Sequence, residues 1–491
     1  MTEPGVVADA FGLRFHADAS SFSRKGDGLF DNARFDNPRV RGLYTSLSDG
    51  WVYMNAATDP QLPERVSGAV SRAFRSAPLA APIEETHGEH SRAASPGTRI
   101  GESHIKSARV AIADLVGARP EHVILGSSRK QLINQLAESL SRRLRLGRQV
   151  VLSRVDDGAN IDPWLRAADL YGADVRWAEA DLSTGVLPAW QYTELVSPET
   201  AVVAVAAANE HVGTVTDVAA IGRTVHAKSD GIFVVDANAI APFHLIDIAD
   251  LGADVLALDV ATIGGPAIGA LVFRSVELMG ELFPHPPRQS RARSAARFGA
   301  HKDVNPGSGG LALRGAVHPS AERAREWLEL GGLSEGLLGG VSAAVDHLAD
   351  LASDAEGGSL RGTRRRRLRG GLPLAEDYVH GLARMVVDGL HGLPGAHVIG
   401  LEGEYEEHFD YDSVERIPRL SFFIDGVPAE AVHDRLFAQG VVTSVIPPGD
   451  SELLEQMGVF ESSTGAVCVG LSVHNTVGDV NRLLRAVASL R

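Results

Sequence analysis

Seven short apolar segments alternate with helical segments between residues 122 and 275, and this alternation constrains the fold more than any other feature. The apolar segments read HVILG, QVVLSR, DVRWAEA, AVVAVAAA, GIFVVDA, DVLALDV and GALVFRS. Short β-rich segments that alternate with amphipathic helices predict βαβ units and a mainly parallel sheet with helices on both faces. Ligands of such sheets bind where the carboxyl ends of the strands meet.

The regions around this alternation predict a second domain. Residues 1–34 are polar and lack a period, which indicates a mobile arm. Residues 35–60 are expected to pack with the smaller domain, and 61–320 form the large α/β domain. A Pro-, Arg- and Gly-rich stretch at about 284–318 predicts an irregular insertion in it. Residues 321–491 combine helices and strands and predict a small α+β domain.

Composition excludes several classes of function. The net charge of -15 argues against nucleic acid as a partner, because phosphate contact needs clustered positive charge. No apolar stretch approaches the roughly 18 residues of a membrane span, and the first residues lack the pattern of a signal peptide. The single cysteine, Cys468, permits no disulfide within the chain. We therefore expect a soluble, cytoplasmic protein. Arginine far outnumbers lysine, which hints at a GC-rich bacterial genome.

Five motifs, in their order and spacing, resemble the class V aminotransferase family of pyridoxal-phosphate (PLP) enzymes, and its cysteine-desulfurase-like branch most closely. They read GANIDPWLRAA, GTVTDVAAIGRTVHA, VVDANAIAPFHLIDIADLGADVLAL, GGPAIGALVF and VGLSVHNTVGDVNRLL. The resemblance runs from Asn37 to the C-terminus. It implies a PLP-transferase fold type I large domain with a mainly parallel seven-stranded sheet, a small α+β C-terminal domain, and a homodimer with both pockets at the subunit interface.

The family's chemistry needs a fixed set of groups, and the resemblance implies that most are replaced here. A lysine forms a Schiff base with PLP, and its position holds Thr262. An aspartate keeps the pyridine nitrogen protonated, and Asp236 stands in its place. The ring-stacking histidine is replaced by Asp157, and the asparagine beside the ring by Glu210. The arginine that grips the substrate carboxylate is replaced by Cys468.

The phosphate-binding turn of the family is altered as well. It reads GSSRKQL here, with Ser127 and Ser128 followed by Lys130 and Gln131, where the family usually has Thr and Ser. A threonine that completes the family's phosphate site falls on Gly332. Ser127, Ser128 and Lys130 at a helix start could still hold a phosphate or carboxylate, or could form only a helix cap and a surface cation.

Few lysines are available to replace the missing one. The chain has only Lys25, Lys106, Lys130, Lys228 and Lys302. The resemblance places only Lys130 near the pocket, on its phosphate side. We therefore expect no cofactor, although PLP bound in another pose through Lys130 stays open.

The resemblance also implies an acidic pocket lined by Asp157, Glu210, Asp236 and Asp259. One interpretation is drift in an abandoned site, with each carboxylate solvated or paired with an arginine. The other is a new site for a cationic ligand or a metal.

A second polar cluster offers metal-ligating residue types in the stretch THGEHSRAASPGTRIGESH. His87, Glu89, His90 and His104 match no compact zinc spacing, so this stretch predicts a polar loop and no metal site.

These observations favour a degenerate family member that has lost PLP–lysine chemistry and acts as a non-catalytic protein partner or a ligand-binding protein. The first alternative is a repurposed, PLP-independent enzyme that uses the acidic pocket for catalysis. The second alternative is a working PLP lyase or aminotransferase. The candidates for catalysis are Asp157, Glu210, His211, Asp236 and Thr262.

Overall fold

A computed structural model describes residues 21–23, 33–87, 91–287, 318–354, 357–401 and 414–490. Most of the predicted arm and of the predicted insertion therefore lies outside the described residues. No helix in the described ranges is both long enough and apolar enough to cross a lipid bilayer.

Eighteen strands are present in the described part of the chain. They are β1 Ser21–Ser23, β2 Arg34–Asp36, β3 Val52–Tyr53, β4 Ala80–His87, β5 Ser91–Arg99, β6 Val123–Gly126, β7 Gln149–Ser153, β8 Asp174–Ala178, β9 Thr200–Ala206, β10 Ile232–Asp236, β11 Val255–Asp259, β12 Gly269–Phe273, β13 Ala352–Ser353, β14 Ala396–Val398, β15 Arg419–Ile424, β16 Val441–Val442, β17 Ser444–Ile446 and β18 Ala466–Gly470.

Fifteen α-helices accompany them in the same ranges. They are α1 Asn37–Arg41, α2 Glu64–Ser76, α3 Ile100–Val116, α4 Arg129–Ser139, α5 Gly158–Tyr171, α6 Tyr192–Leu195, α7 Val218–Lys228, α8 Val276–Leu282, α9 Pro319–Leu328, α10 Glu335–Ala349, α11 Arg364–His391, α12 Ala429–Ala438, α13 Glu452–Gln456, α14 Val459–Ser462 and α15 Val477–Ala488.

The seven predicted strands form one sheet in the order β6-β12-β11-β10-β9-β7-β8. Strands β11, β10, β9, β7 and β8 are parallel neighbours, and β12 is antiparallel to both β11 and β6. The middle strands are apolar along their whole length because both faces are covered: every residue of β9 and β10 is buried. The predicted α/β fold class is confirmed.

A second sheet lies in the C-terminal part of the chain. It has the order β14-β15-β18-β17, and all neighbours are antiparallel. Helix α15 opens with a capping box in which Thr476 and Asp479 satisfy each other's backbone N–H groups. A run of basic residues that begins at Arg364 starts α11, and Arg364 and Arg367 pair with Asp346 of α10.

The stretch around residues 87–104 differs from its prediction as a polar loop. Strands β4 and β5 pair antiparallel through residues 80–99, and α3 follows directly from Ile100. The prediction was wrong because the stretch has no apolar alternation, and backbone hydrogen bonds alone define its strands. His104 lies on α3, whereas Glu89 and His90 lie outside the described residues.

A buried cluster joins the N-terminal segment to α10 and to the loop before α15. The Tyr44 hydroxyl is hydrogen-bonded to Nε2 of His347 at 2.8 Å. The ring of His474 stands edge-on to Tyr44, with 5.0 Å between centroids, and its nitrogens meet no partner among the described residues. Burial lowers the pKa of His347 and of His474 to about 3, so both rings are neutral in the folded protein.

We predict that His474 limits stability in acid. Its folded pKa lies below the ordinary 6.5, so its contribution is complete above pH 6.5 and is lost as the pH falls towards 3. The expected loss is about 1.4 kcal/mol per pH unit within this window. In His474→Phe, the free energy of unfolding measured in urea at pH 7.5 and pH 5 should change less than in the wild type.

The matched control is His391→Phe, which changes an exposed histidine at the end of α11. It should keep the wild-type slope. Equal slopes for His474→Phe and the wild type would contradict the assignment.

Candidate functional site

The candidate site is a pocket of about 370 Å³ at the carboxyl edge of the central sheet. Strands β7, β9, β10 and β11 are parallel, and β6 shares their direction because β12 is antiparallel to both β6 and β11. The loops after these five strands therefore converge at one edge, as the sequence predicted for a ligand site.

Arg129, the first residue of α4, occupies the floor of this pocket, with a side chain only 7% exposed. Its guanidinium forms ion pairs with Asp157 and Asp236, and its Nη2 lies 3.3 Å from Glu210 Oε1. Its Nε lies 3.5 Å from Asp259 Oδ2, and its backbone N–H donates to Asp259 Oδ1 at 2.7 Å. One buried cation thus contacts carboxylates at the carboxyl ends of four strands: Asp236 and Asp259 end β10 and β11, and Asp157 and Glu210 lie in the loops after β7 and β9.

Local structure fixes each of these carboxylates. Asp157 caps α5 by accepting from two backbone N–H groups of its first turn. Asp236 ends β10, and its Oδ1 accepts from the N–H of Asn238 at 2.9 Å. Asn238 donates to Glu210 at 3.2 Å and accepts from the Thr262 hydroxyl at 2.6 Å. Asn238 therefore links three of the loops around Arg129.

The charged groups in the floor shift one another's pKa values. Burial opposes the charged form of Arg129, but Asp157, Glu210 and Asp259 together outweigh it and raise the pKa of the guanidinium. Burial also works against ionised Glu210, yet Arg129 and Arg419 lower the pKa of Glu210 below its ordinary value. Burial dominates at Asp259 and raises its pKa. The guanidinium is therefore a permanent cation in this cluster.

The sequence predicted that the four acidic residues share one pocket, but it did not single out Arg129. This arginine lies in the turn GSSRKQL between Ser128 and Lys130, both of which were predicted site residues. The sequence did contain a signal for Arg129. Because Arg129 begins a helix that directly follows the carboxyl end of a strand, it is expected to lie at the edge of the sheet where ligands bind. Four unbalanced carboxylates at that edge also require a cation. Asn238 was missed too.

The residues predicted for a phosphate turn stand apart from the floor. Ser128 caps α4 by accepting from the Gln131 N–H, and Ser127 is exposed. The Lys130 ammonium pairs with Asp162 at 2.9 Å, with both side chains about half exposed. Gly332 lies in the turn after α9, with open space around its α-carbon. The structure thus places Lys130 at the outer rim and not against Asp236.

The remaining predicted residues border the floor. Thr262 lies in the turn after β11 and His211 in the loop after β9. Burial lowers the pKa of His211, which favours its neutral form. Cys468 is buried on β18, and burial raises the pKa of its thiol. Arg419, on the neighbouring strand β15, is fully buried close to Glu210 and donates no hydrogen bond to any described residue.

Beneath the floor, Asp156 braces two strands. Its carboxylate accepts from the Ser153 hydroxyl at 2.7 Å, the Asn160 side chain at 2.7 Å and the Ala206 N–H at 2.9 Å. Complete burial raises the pKa of Asp156 to about 7 in spite of these donors.

The mouth of the pocket lies between the central sheet and the loop that leads into α13. The Arg154 guanidinium stacks on the Trp177 ring at 3.9 Å from its centroid. It donates to Glu452 of α13 at 2.5 Å. Residues 449–453 complete the wall on this side.

These residues do not fit PLP in the pose that the family uses. The resemblance places Asp236 at the position of the pyridine nitrogen's partner, and Asp236 is already paired with Arg129. The resemblance also places Asp157 at the stacking position and Glu210 beside the ring, where carboxylates would lie against an anionic cofactor. No lysine is among the pocket's lining residues in the part of the chain that the structure describes.

Comparisons with known proteins agree with this fold. The family model Aminotransferase class-V matches residues 52–286. The chain is 38% identical over 456 residues to "Uncharacterized protein MT3887" of Mycobacterium tuberculosis, covering 93% of this chain and 99% of that protein. It is 27% identical over 230 residues to "Cysteine desulfurase IscS" of Acinetobacter baumannii, which covers 46% of this chain and 56% of that protein.

Solved structures share the architecture at lower sequence identity. The cysteine desulfurase CsdA of Escherichia coli superposes with a TM-score of 0.68 at 22% identity, covering 93% of this chain and 98% of that one. An apo cysteine desulfurase from Thermococcus onnurineus NA1 gives 0.68 at 20% identity, covering 92% and 97%.

We predict that Asp156 makes stability fall as the pH rises. Its folded pKa of about 7 exceeds the ordinary 3.8, so its favourable contribution is present below pH 3.8 and is lost towards pH 7. In Asp156→Asn, Asn160 can turn its amide to accept from the new donor. Relative to the wild type, this variant should gain about 4 kcal/mol at most between pH 4 and pH 8.

The measurement is the free energy of unfolding of both proteins at these two pH values. A constant difference between them would contradict the raised pKa.

Proposed function

Because the chain belongs to the aminotransferase class V family but lacks the groups that hold and use its cofactor, we propose that it is a non-catalytic, ligand-binding member. Its ligand is a small, positively charged molecule bound in the pocket above Arg129. The observation that carries the proposal is the charge of the pocket wall, where six carboxylates face two guanidiniums among the described residues, besides the buried Asp156, whose pKa of about 7 leaves it partly protonated at neutral pH. The six are Asp157, Asp162, Glu210, Asp236, Asp450 and Glu452, with Arg129 and Arg154.

The loss of Schiff-base chemistry rests on where the lysines lie. Thr262 stands at the family's lysine position and is hydrogen-bonded to Asn238. Lys130 is held by Asp162, and Lys228 donates to the backbone carbonyl of Thr193. Lys106 lies on α3, away from the sheet edge that forms the pocket. None of these three lysines lines the pocket, which supports a protein without an imine-forming lysine; Lys25 and Lys302 lie outside the described residues.

The chain's thiol also argues against the chemistry of a cysteine nucleophile. A thiol attacks as the thiolate, and reactive cysteines sit in exposed, electropositive places that lower their pKa. Cys468 is the only cysteine in the sequence, and it is buried on β18 with a raised pKa. It therefore packs the C-terminal sheet and leaves the pocket without a sulfur nucleophile.

Pocket size and charge define the ligand class. A volume of about 370 Å³ falls at the small end of ligand sites in proteins, which run from about 300 to 1,000 Å³. Excess carboxylates attract amines and guanidines and repel phosphates and carboxylates. Asp450 is exposed on the wall and contributes an acceptor close to solvent.

The first test asks whether the protein binds PLP. The purified wild-type protein is titrated with PLP, followed by visible absorption, borohydride reduction and peptide mapping. We expect no absorption band from bound cofactor and no modified lysine. A lysine labelled with PLP in the wild type would refute the proposal.

The second test measures the ligand class by thermal unfolding with matched compounds: alkyl amines and guanidines against carboxylates and phosphates of similar size. Cations should raise the melting temperature and anions should not. Asp450→Asn should weaken binding of the cations by about threefold, the size of one partly exposed charge interaction. Asp388→Asn, an exposed residue on α11, is the control and should leave the affinity unchanged. Equal responses to cations and anions would contradict the proposed ligand.

A further inference from the structure

We propose that Arg129 is a built-in cation that takes the place of the cofactor's protonated ring, so that the pocket floor reaches full stability with no cofactor. This inference deepens the proposed function and rests on it. It assigns to Arg129 the role of excluding the cofactor's ring from this pocket.

The geometry of the floor carries the inference. The family's aspartate exists to hold a flat, cationic N–H group, and here Asp236 holds the Arg129 guanidinium. Asp157, at the position of the residue that stacks on the ring, contacts the same guanidinium. A guanidinium is itself planar, delocalised and always charged, with N–H donors that match carboxylates. Arg129 therefore meets the same two positions that a protonated pyridine ring would meet.

The remaining contacts show why a cation must be there. Glu210 from the loop after β9 and Asp259 from the end of β11 approach Arg129 at 3.3 Å and 3.5 Å. Four carboxylates, of which Asp236 is buried and the others are about a quarter exposed, repel one another around this guanidinium, and removing the cation between them leaves their charges uncompensated. In this chain that cation is covalently part of α4, because Arg129 is the first residue of the helix.

The position of Arg129 in the chain also explains its reach. Its backbone N–H is fixed by Asp259, which anchors the start of α4 to the end of β11. Its side chain then spans the edge from β11 towards β10 and β7. Arg129 therefore positions both the cation, through its side chain, and the start of α4 against the end of β11, through its backbone.

The test is chemical rescue of a cavity. Arg129→Ala should lower the melting temperature at pH 7.5 by at least about 5 °C, since it leaves buried carboxylates unpaired. Methylguanidinium or 4-aminopyridinium, a flat ring cation that stays protonated at pH 7.5, should restore part of this loss at millimolar concentration. Adding Asp236→Asn to Arg129→Ala should raise the melting temperature above that of the single variant, because one unpaired charge is removed.

The matched control is Arg109→Ala. Arg109 is a buried arginine paired with one glutamate, Glu329, at 2.7 Å, and it lies outside the pocket. Its loss should destabilise the protein, and 4-aminopyridinium should not reverse the effect. The inference is overturned if Arg129→Ala is as stable as the wild type, if added cations fail to restore it, or if they restore Arg109→Ala equally.

These outcomes are separate from those of the proposed function. Failure of the wild type to bind any cation would refute the ligand while leaving the rescue of Arg129→Ala intact. Failure of rescue would refute the role of Arg129 even if the wild type binds a cation near Asp450.

Discussion

One guanidinium holds the functional edge of this molecule together. Arg129 pairs with carboxylates at the carboxyl ends of β10 and β11 and in the loops after β7 and β9, so the ends of four strands are joined through a single side chain. Buried ion pairs stabilise a structure only when the charges are well matched and hydrogen-bonded, and Asn238 completes that arrangement. The shape of the pocket above therefore depends on Arg129 remaining in place.

The substitutions that separate this chain from its family form one consistent set. Asp157 and Glu210 would oppose an anionic cofactor, yet both are partners for Arg129. Thr262 cannot form an imine, yet its hydroxyl fixes the asparagine that positions the carboxylates. Asp157, Glu210 and Thr262 thus all belong to the arginine cluster, the first two by direct contact with Arg129 and Thr262 through Asn238.

The sequence was sufficient for the central sheet because the strands are buried on both faces and therefore apolar throughout, and because helices separate most of them. Through its resemblance to the family, the sequence was also sufficient for gathering Asp157, Glu210 and Asp236 at one edge of the sheet, where strand ends converge. It was not sufficient for Arg129, whose direction depends on how α4 leaves β6. Nor did it give the hairpin of β4 and β5, which no apolar pattern marks and which only backbone pairing defines.

The charges at the mouth of the pocket differ from those at its floor in their access to water. The Arg154 side chain is 26% exposed and its partner Glu452 42%, whereas Arg129 is 7% exposed. Dissolved ions screen exposed pairs strongly and buried pairs weakly. Rising ionic strength therefore weakens the ion pair between Arg154 and Glu452 of α13, while the arginine cluster below keeps its shape. We therefore expect the mouth of the pocket to respond to the salt around the molecule more strongly than the buried guanidinium at its floor.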